Sequence, residues 1–232
     1  MSTSPRLEIL EYCETELGVL CLRRRELLSS PGTIVTEVIL DQEFLMSSYN
    51  TESENALATA ALEWHGGREL DVLVGGLGLG YTAHAALAFP EVATVKVLEL
   101  LPQVIDWVSR DLVPLASLLR AEPRLQLKQG DVFEHLANPP EKLHDAILID
   151  VDHSPDELLD PRNQSFYTAA GLTRAGEHLA ENGVLAIWSS SPSEVFESAL
   201  AQVFSEVKLE TIHWRNDLID QDQRNDLFLA RR

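Results

Sequence analysis

From residue 70 onward the chain alternates short, nearly continuous apolar runs with longer stretches of helical pattern. The runs at 70–74, 94–98, 124–128, 146–149 and 184–188 have strand length. Strands apolar on both faces, with helices between them, predict a parallel sheet covered on both sides. The end of the chain breaks that rhythm. Segments 207–214 and 227–231 read as two strands separated only by the polar stretch 215–226, which predicts an antiparallel pair closing the sheet.

The first part of the chain follows a different pattern. Residues 7–47 are β-rich: 7–13 and 17–23 flank a Glu14-Thr15-Glu16 turn, and 33–40 alternates valine, isoleucine and threonine after Pro31-Gly32. A small antiparallel sheet is expected there. A helix follows, opened by Thr51-x-x-Glu54 in capping-box spacing, running to Trp64 and stopped by Gly66-Gly67. The predicted organisation is a β-rich appendage at 1–50 and an α/β domain at 51–232, with a doubly wound, mostly parallel sheet and an antiparallel C-terminal hairpin.

Composition narrows the partners. The chain has 232 residues, 45% apolar and 24% charged, as expected of a globular protein, and its formal charge is −19. So acidic a surface repels phosphate backbones and anionic lipid, so neither nucleic acid nor membrane is expected as a partner; cationic small molecules are favoured. Acidity also serves solubility alone. Residues 72–90 lack charged side chains, but Gly75, Gly76, Gly78 and Gly80 break any spanning helix there. No signal-like apolar core is read in residues 1–10, and Cys13 and Cys21 are too few for a disulfide framework. They flank the predicted hairpin turn, where a bridge is conceivable, but reduced thiols and a cytoplasmic location are the expectation.

Candidate chemistry gathers at the strand ends. Val72-Leu73-Val74 runs into Gly75-Gly76-Leu77-Gly78-Leu79-Gly80, and a helix is predicted from Tyr81. Such a loop lets backbone approach a ligand, and the helix start offers unpaired N–H groups. Tight strand–helix packing is the competing reason for the glycines. Glu99 ends the next strand, where a carboxylate accepts from both hydroxyls of a ribose. Asp131, after Gly130, follows the third strand and suits an adenine amino group, a helix N-cap, or both. Together the three features describe a nucleoside cradle. A dinucleotide fingerprint fits less well, because Gly78-x-Gly80-x-x-Ala83 begins too far past the strand, and starting from Gly76 instead puts Tyr81 at the third position, which wants a small residue.

The fourth strand runs into Asp150, Asp152, His153, Asp156, Glu157 and Asp160. Ligands of open α/β sheets sit at the carboxyl ends of strands, which aims Asp150 at the cradle. An alkyl amine, with a pKa near ~10, must lose a proton before it attacks carbon. A carboxylate among other carboxylates is a better base and still attracts the cation. Asp150, Asp152 and His153 also suggest a divalent metal, but the next strand end, Trp188-Ser189-Ser190-Ser191, adds no carboxylate, so no metal is expected.

These segments, with Leu98-Glu99-Leu100, the 145–150 run, Phe166-Tyr167 and Ser191-Pro192, follow one another as in the spermidine synthase (aminopropyltransferase) family, which the chain resembles over nearly its whole length. The resemblance implies a fold of the class I S-adenosylmethionine-dependent methyltransferase type, a homodimer, and transfer of an aminopropyl group from decarboxylated S-adenosylmethionine to an amine such as putrescine. It assigns the donor to Gly75, Gly76, Gly78, Glu99, Asp131 and Asp150, with Glu99 on ribose and Asp131 on adenine. Asp150 would be the base, and Glu54, Asp152 and His153 would contact the acceptor. Three departures stand out. Gly78 replaces the family's loop aspartate, which attracts the donor's amine and repels the carboxylate of ordinary S-adenosylmethionine. Asp150-Val151-Asp152-His153-Ser154-Pro155 replaces D-S-S-D-P, and of a Tyr-His-Glu motif only Glu54 remains. A methyltransferase using ordinary S-adenosylmethionine and a non-catalytic nucleoside-binding homologue are the alternative readings.

Overall fold

The computed structural model describes residues 7–216 and 220–232. Residues 1–6, within the stretch read for a signal core, and 217–219, within the polar connection 215–226, lie outside the described residues. Two sheets are present. The first is an antiparallel meander of β1 (Leu7–Thr15), β2 (Gly18–Glu26), β3 (Ile34–Leu40) and β4 (Glu43–Ser47). The fourth strand is not among those read from the sequence: at five residues it is short and joins β3 through Asp41 and Gln42, both at positive φ.

Helix α1 (Glu52–His65) leads into the second sheet. Its strands are β5 (Leu70–Gly75), β6 (Val92–Glu99), β7 (Leu125–Gln129), β8 (His144–Ile149), β9 (Leu179–Ser189), β10 (Glu206–Asn216) and β11 (Gln221–Arg231). They lie in the order β10-β11-β9-β8-β5-β6-β7, with β9, β8, β5, β6 and β7 parallel and β11 and β10 antiparallel. The connecting helices are α2 (Tyr81–Leu87), α3 (Pro102–Ser109), α4 (Ala116–Ala121), α5 (Val132–Ala137), α6 (Ala169–Glu177) and α7 (Glu194–Val203).

Strands β5, β6, β8 and β9 bury both faces, successive side chains pointing to opposite sides, whereas the edge strands β7 and β10 carry exposed residues. Val72, Val74, Val97, Ala146, Leu148, Ala186 and Leu229 pack beneath α1 to α4 in one core. Leu73, Leu98, Ile147, Ile149, Ile187 and Phe228 pack beneath α5 to α7 in the other. The antiparallel sheet joins the first core through Leu20, Leu22, Val38 and Leu40, so its inner face is one wall of the region above the strand ends.

Two sequence expectations need correction, and the conceivable cysteine bridge does not form. The capping box does not form: Thr51 is the N-cap but its side chain makes no cap bond, and the Thr51 N–H donates to Glu52 Oε2 at 3.1 Å. Glu54 accepts instead from Ser53 Oγ at 2.9 Å. The polar stretch 215–226 is mostly strand, with Trp214 opposite Gln223 and Asn216 opposite Gln221. Cross-strand bonds such as Trp214 Nε1 to Asn225 Oδ1 at 2.9 Å take the place of apolar pattern. Finally, Cys13 lies opposite Leu20 and Cys21 opposite Tyr12, so the thiols project from opposite faces and both are free. No helix among the described residues is long and apolar enough to cross a membrane.

At the amino ends of β8 and β9, His135 and His178 stack with ring centroids 5.1 Å apart. Burial, with Lys96 and the neighbouring histidines, lowers the His135 pKa to about 4, and burial likewise lowers that of His178. A histidine held neutral in the fold stabilises it fully above the unfolded pKa of about 6.5 and loses that contribution as pH falls toward the folded value. Urea unfolding midpoints should therefore show a loss between about pH 6.5 and pH 4 that becomes shallower in His135→Asn; an unchanged slope would show that this pair does not govern acid stability.

Candidate functional site

The loop after β5 and the segment after β8 lie against each other at the carboxyl rim. The Asp150 N–H donates to the Gly75 carbonyl at 2.9 Å. At Gly76, φ +89°, a Cβ would stand 2.2 Å from the Asp150 carbonyl oxygen. At Gly75 it would meet Val132, and at Gly80, φ +92°, Leu119. Close packing within the protein thus requires glycine at these three positions, whatever the loop binds. Gly78, φ +50°, is the revealing one: its Cβ would lie 2.7 Å from Met46 Sδ. A methionine of β4 fills the space beside the residue where the resembled family carries its loop aspartate.

Glu99 holds the loop from the other side. Its Oε2 accepts the Leu77 N–H at 2.8 Å and its Oε1 accepts the Leu101 N–H at 2.8 Å. Burial pushes its carboxyl pKa up, opposed by these backbone donors. With further backbone donors at Gly78 and Leu100, Glu99 is a clamp on the loop. Asp131 N-caps α5, its Oδ1 accepting from Phe133 N at 2.8 Å and Glu134 N at 3.2 Å.

Two adjoining cavities open above these groups. The narrower is lined by Gly76, Gly78, Glu99, Gly130, Asp131 and Asp150, with apolar walls including Leu98, Val104, Trp107 and Phe133. Residues Leu20, Val38, Leu40 and Met46 of the antiparallel sheet close it. Trp107 is fully buried and its Nε1–H has no protein partner, an unspent donor in a residue of this wall. The glycine loop, Glu99 and Asp131 therefore share one space, and a slot with apolar walls and the carboxylates of Glu99, Asp131, Asp150 and Asp160 in its lining has the polarity to take a purine nucleoside.

The wider cavity, about 440 Å³, shares Met46, Gly78, Asp150 and Val151 with the first. Asp150 lines both. Its Oδ2 accepts a 2.6 Å hydrogen bond from Thr82 Oγ1, and burial pushes its pKa up against that bond. Glu54 lines the same wider cavity; burial, then the Asp150 charge, raises its pKa to about 7. Tyr81, Trp188, Trp214, Gln223 and Asn225 complete the lining. These five were not singled out from the sequence. The polar end of the hairpin supplies three of them, and the signal was a polar run too regular in its pairing to be a loop.

Asp152 and His153 behave differently. Asp152 lines this cavity, yet it is buried and accepts from the Leu159 N–H at 2.7 Å, from Asn163 Nδ2 at 2.9 Å and from the Tyr167 hydroxyl at 2.9 Å. Its carboxylate fastens the segment after β8 to the Phe166-Tyr167 region. The role expected for Asp152, contact with an acceptor, competes with this anchoring. His153 is half-buried on the cavity wall. Among the described residues, no group of three or more His, Cys, Asp or Glu is arranged to hold a metal ion.

No protein-family model matches the chain. In sequence it is 30% identical over 145 residues to the polyamine aminopropyltransferase of Prochlorococcus marinus (strain MIT 9313), covering 61% of this chain and 44% of that protein. It is 28% identical over 127 residues to the polyamine aminopropyltransferase of Oceanobacillus iheyensis, covering 53% of this chain and 23% of that protein. The aligned region thus spans less than half of either relative. In structure it superposes on spermidine synthase from Thermotoga maritima with TM-score 0.74 at 16% identity, covering 97% of this chain and 72% of that one. A spermidine synthase in complex with the transition-state analogue AdoDATO gives TM-score 0.73 at 15% identity, with the same coverages. The chain has the fold of spermidine synthase and, over part of its length, is similar in sequence to polyamine aminopropyltransferases.

Proposed function

We propose that the chain transfers an aminopropyl group from decarboxylated S-adenosylmethionine to an amine. The observation that carries this reading is Asp150: one carboxylate borders both the nucleoside-shaped slot and the wider cavity. A sulfonium donor lying in the slot would present its reacting carbon near Asp150, and an amine in the wider cavity would approach from the opposite side. The amine nitrogen forms a bond to the propyl carbon while the carbon–sulfur bond breaks. The sulfonium leaves as the neutral thioether methylthioadenosine, and the proton lost by the amine passes to Asp150. Holding nitrogen, carbon and sulfur in line supplies much of the rate. The raised pKa of Asp150 makes it a stronger base than an exposed carboxylate. The names of the two aminopropyltransferase relatives support the same chemistry.

Titration calorimetry with decarboxylated and ordinary S-adenosylmethionine ranks the donors. Preference for the decarboxylated form, with methylthioadenosine released when putrescine is added, is the expected result. Release of S-adenosylhomocysteine from the ordinary donor would establish the methyltransferase reading instead, and tight binding without turnover over an amine panel the non-catalytic one. Asp150→Asn should lower turnover by ~10²–10⁴-fold, the usual contribution of a positioned base, with donor affinity nearly unchanged. Turnover that survives that substitution would remove Asp150 from the role. Chelation with EDTA should leave the rate as it was.

The Gly78–Met46 contact favours the methyltransferase alternative in one respect, since no carboxylate at residue 78 repels the carboxyl of ordinary S-adenosylmethionine. It also makes a sharp test. Gly78→Asp alone should destabilise the fold by about 1–3 kcal/mol, because it combines positive φ with an occupied side-chain space. Gly78→Asp with Met46→Ala relieves the side-chain clash, leaves the positive-φ cost, and should shift preference toward the decarboxylated donor by ~10-fold or more, the effect of ~1.4 kcal/mol of charge discrimination. An unchanged donor ratio in the folded double variant would mean that the donor tail does not pass residue 78.

A further inference from the structure

Asp150 is fixed in its backbone but not, by that alone, in its side chain. The amide is tied to Gly75 and the carbonyl is packed on Gly76. The remaining freedom is the carboxylate torsion, and one side chain restrains it. Thr82, on the first turn of α2 just past the glycine loop, is buried at 4% exposure. Its Oγ1 stands 2.6 Å from Asp150 Oδ2 and 3.4 Å from the Glu54 carbonyl oxygen. A hydroxyl has a single hydrogen to give, and the shorter contact takes it.

We propose that Thr82 is the positioning residue for the base: its hydroxyl holds Asp150 Oδ2 so that Oδ1 is left for the amine, and it sustains the carboxylate's charge where burial and other acids oppose it. This rests on the reading of Asp150 as the base. The opposition comes from several directions. Glu54 on α1 lines the same cavity and is restrained separately by Ser53 Oγ at 2.9 Å. Tyr81 on α2 and Asp152 after β8 line it too; His153, also on the wall, acts to lower the Asp152 pKa and does not add to this opposition. Glu99 and Asp131 stand across the narrower slot. The cationic side chain on the cavity wall is Arg25, and its Nε is spent on Glu37 Oε1 at 2.7 Å. No arginine or lysine among the described residues forms a salt bridge with Asp150. The hydroxyl is the hydrogen-bond donor to this carboxylate, and a charge-assisted hydrogen bond of this length is among the stronger kinds.

The arrangement also ties the two sides of the site together. The loop that borders the nucleoside slot continues directly into the residue that restrains the base.

Thr82→Val keeps the shape and deletes the donor, whereas Thr82→Ser keeps the hydroxyl. In Thr82→Val the acidic limb of the kcat/KM profile should move up by about one pH unit, with a ~10-fold loss at pH values on the acid side of the wild-type limb that recovers above it. Thr82→Ser should follow the wild type, and donor affinity should be alike in all three. A ¹³C carboxyl titration of labelled aspartate, with the Asp150 signal assigned by Asp150→Asn, measures the same shift without turnover. It keeps the two proposals separable: if no substrate turns over, a rise of the Asp150 pKa in Thr82→Val still supports the Thr82 role while the assigned activity fails. An Asp150 titration and pH profile that superpose on the wild type would overturn the role of Thr82. So would a loss of equal size at every pH that Thr82→Ser shares. If Thr82→Val does not fold, Thr82→Ala is titrated in its place under the same criteria.

Discussion

The site depends on one close contact between two backbones. Strands β5 and β8 are parallel neighbours, and where they end the glycine turn lies directly on Asp150, with the amide of Asp150 bonded to Gly75 and its carbonyl in the space a side chain at 76 would fill. A backbone positioned in this way is settled by the sheet rather than by side-chain packing. Everything that carries chemistry is then placed relative to it. Glu99 clamps the loop from the β6 side, Thr82 follows in the next turn, and Met46 closes the loop from the antiparallel sheet.

The two cavities differ in how much of their polarity is already spent. On the side of the narrower cavity, Glu99 and Asp131 both accept from backbone amides, so their positions are determined by the fold. On the wider side, Asp150 and Glu54 have only one side-chain hydroxyl each, and burial keeps both pKa values high. A pair of carboxylates that resists full ionisation gains from the arrival of a cation, which is what an ammonium provides. Asp152, by contrast, has its charge distributed over three donors, and its burial serves the loop it anchors. Proximity in sequence does not make neighbouring acids equivalent.

Much of this was legible from pattern. Strand-length apolar runs at 70–74 and 146–149 lie on both cores because a strand flanked by helices on two sides has no polar face to show. The glycine loop, Glu99 and Asp131 were expected at one rim because the carboxyl ends of parallel strands all point the same way, and they do share a cavity. The capping box at Thr51 was misread. The spacing is correct, but Glu54 faces the wider cavity instead of folding back on its own helix, and Glu52 takes the Thr51 amide.

Local order, then, was written into the chain: the period of the strands, the glycines at bends, and an acid closing each of three successive runs. Those features depend on neighbours a few residues apart, which a linear reading can see. What a linear reading does not contain is which distant segments meet. Met46 beside Gly78 and Thr82 on Asp150 join residues 32 and 68 apart, and Trp214 and Asn225 reach the wider cavity from the distant hairpin, meetings that no local periodicity encodes. They follow from the order of strands in the sheet and from a small second sheet packed over its rim, both settled by the burial of apolar faces across the whole molecule.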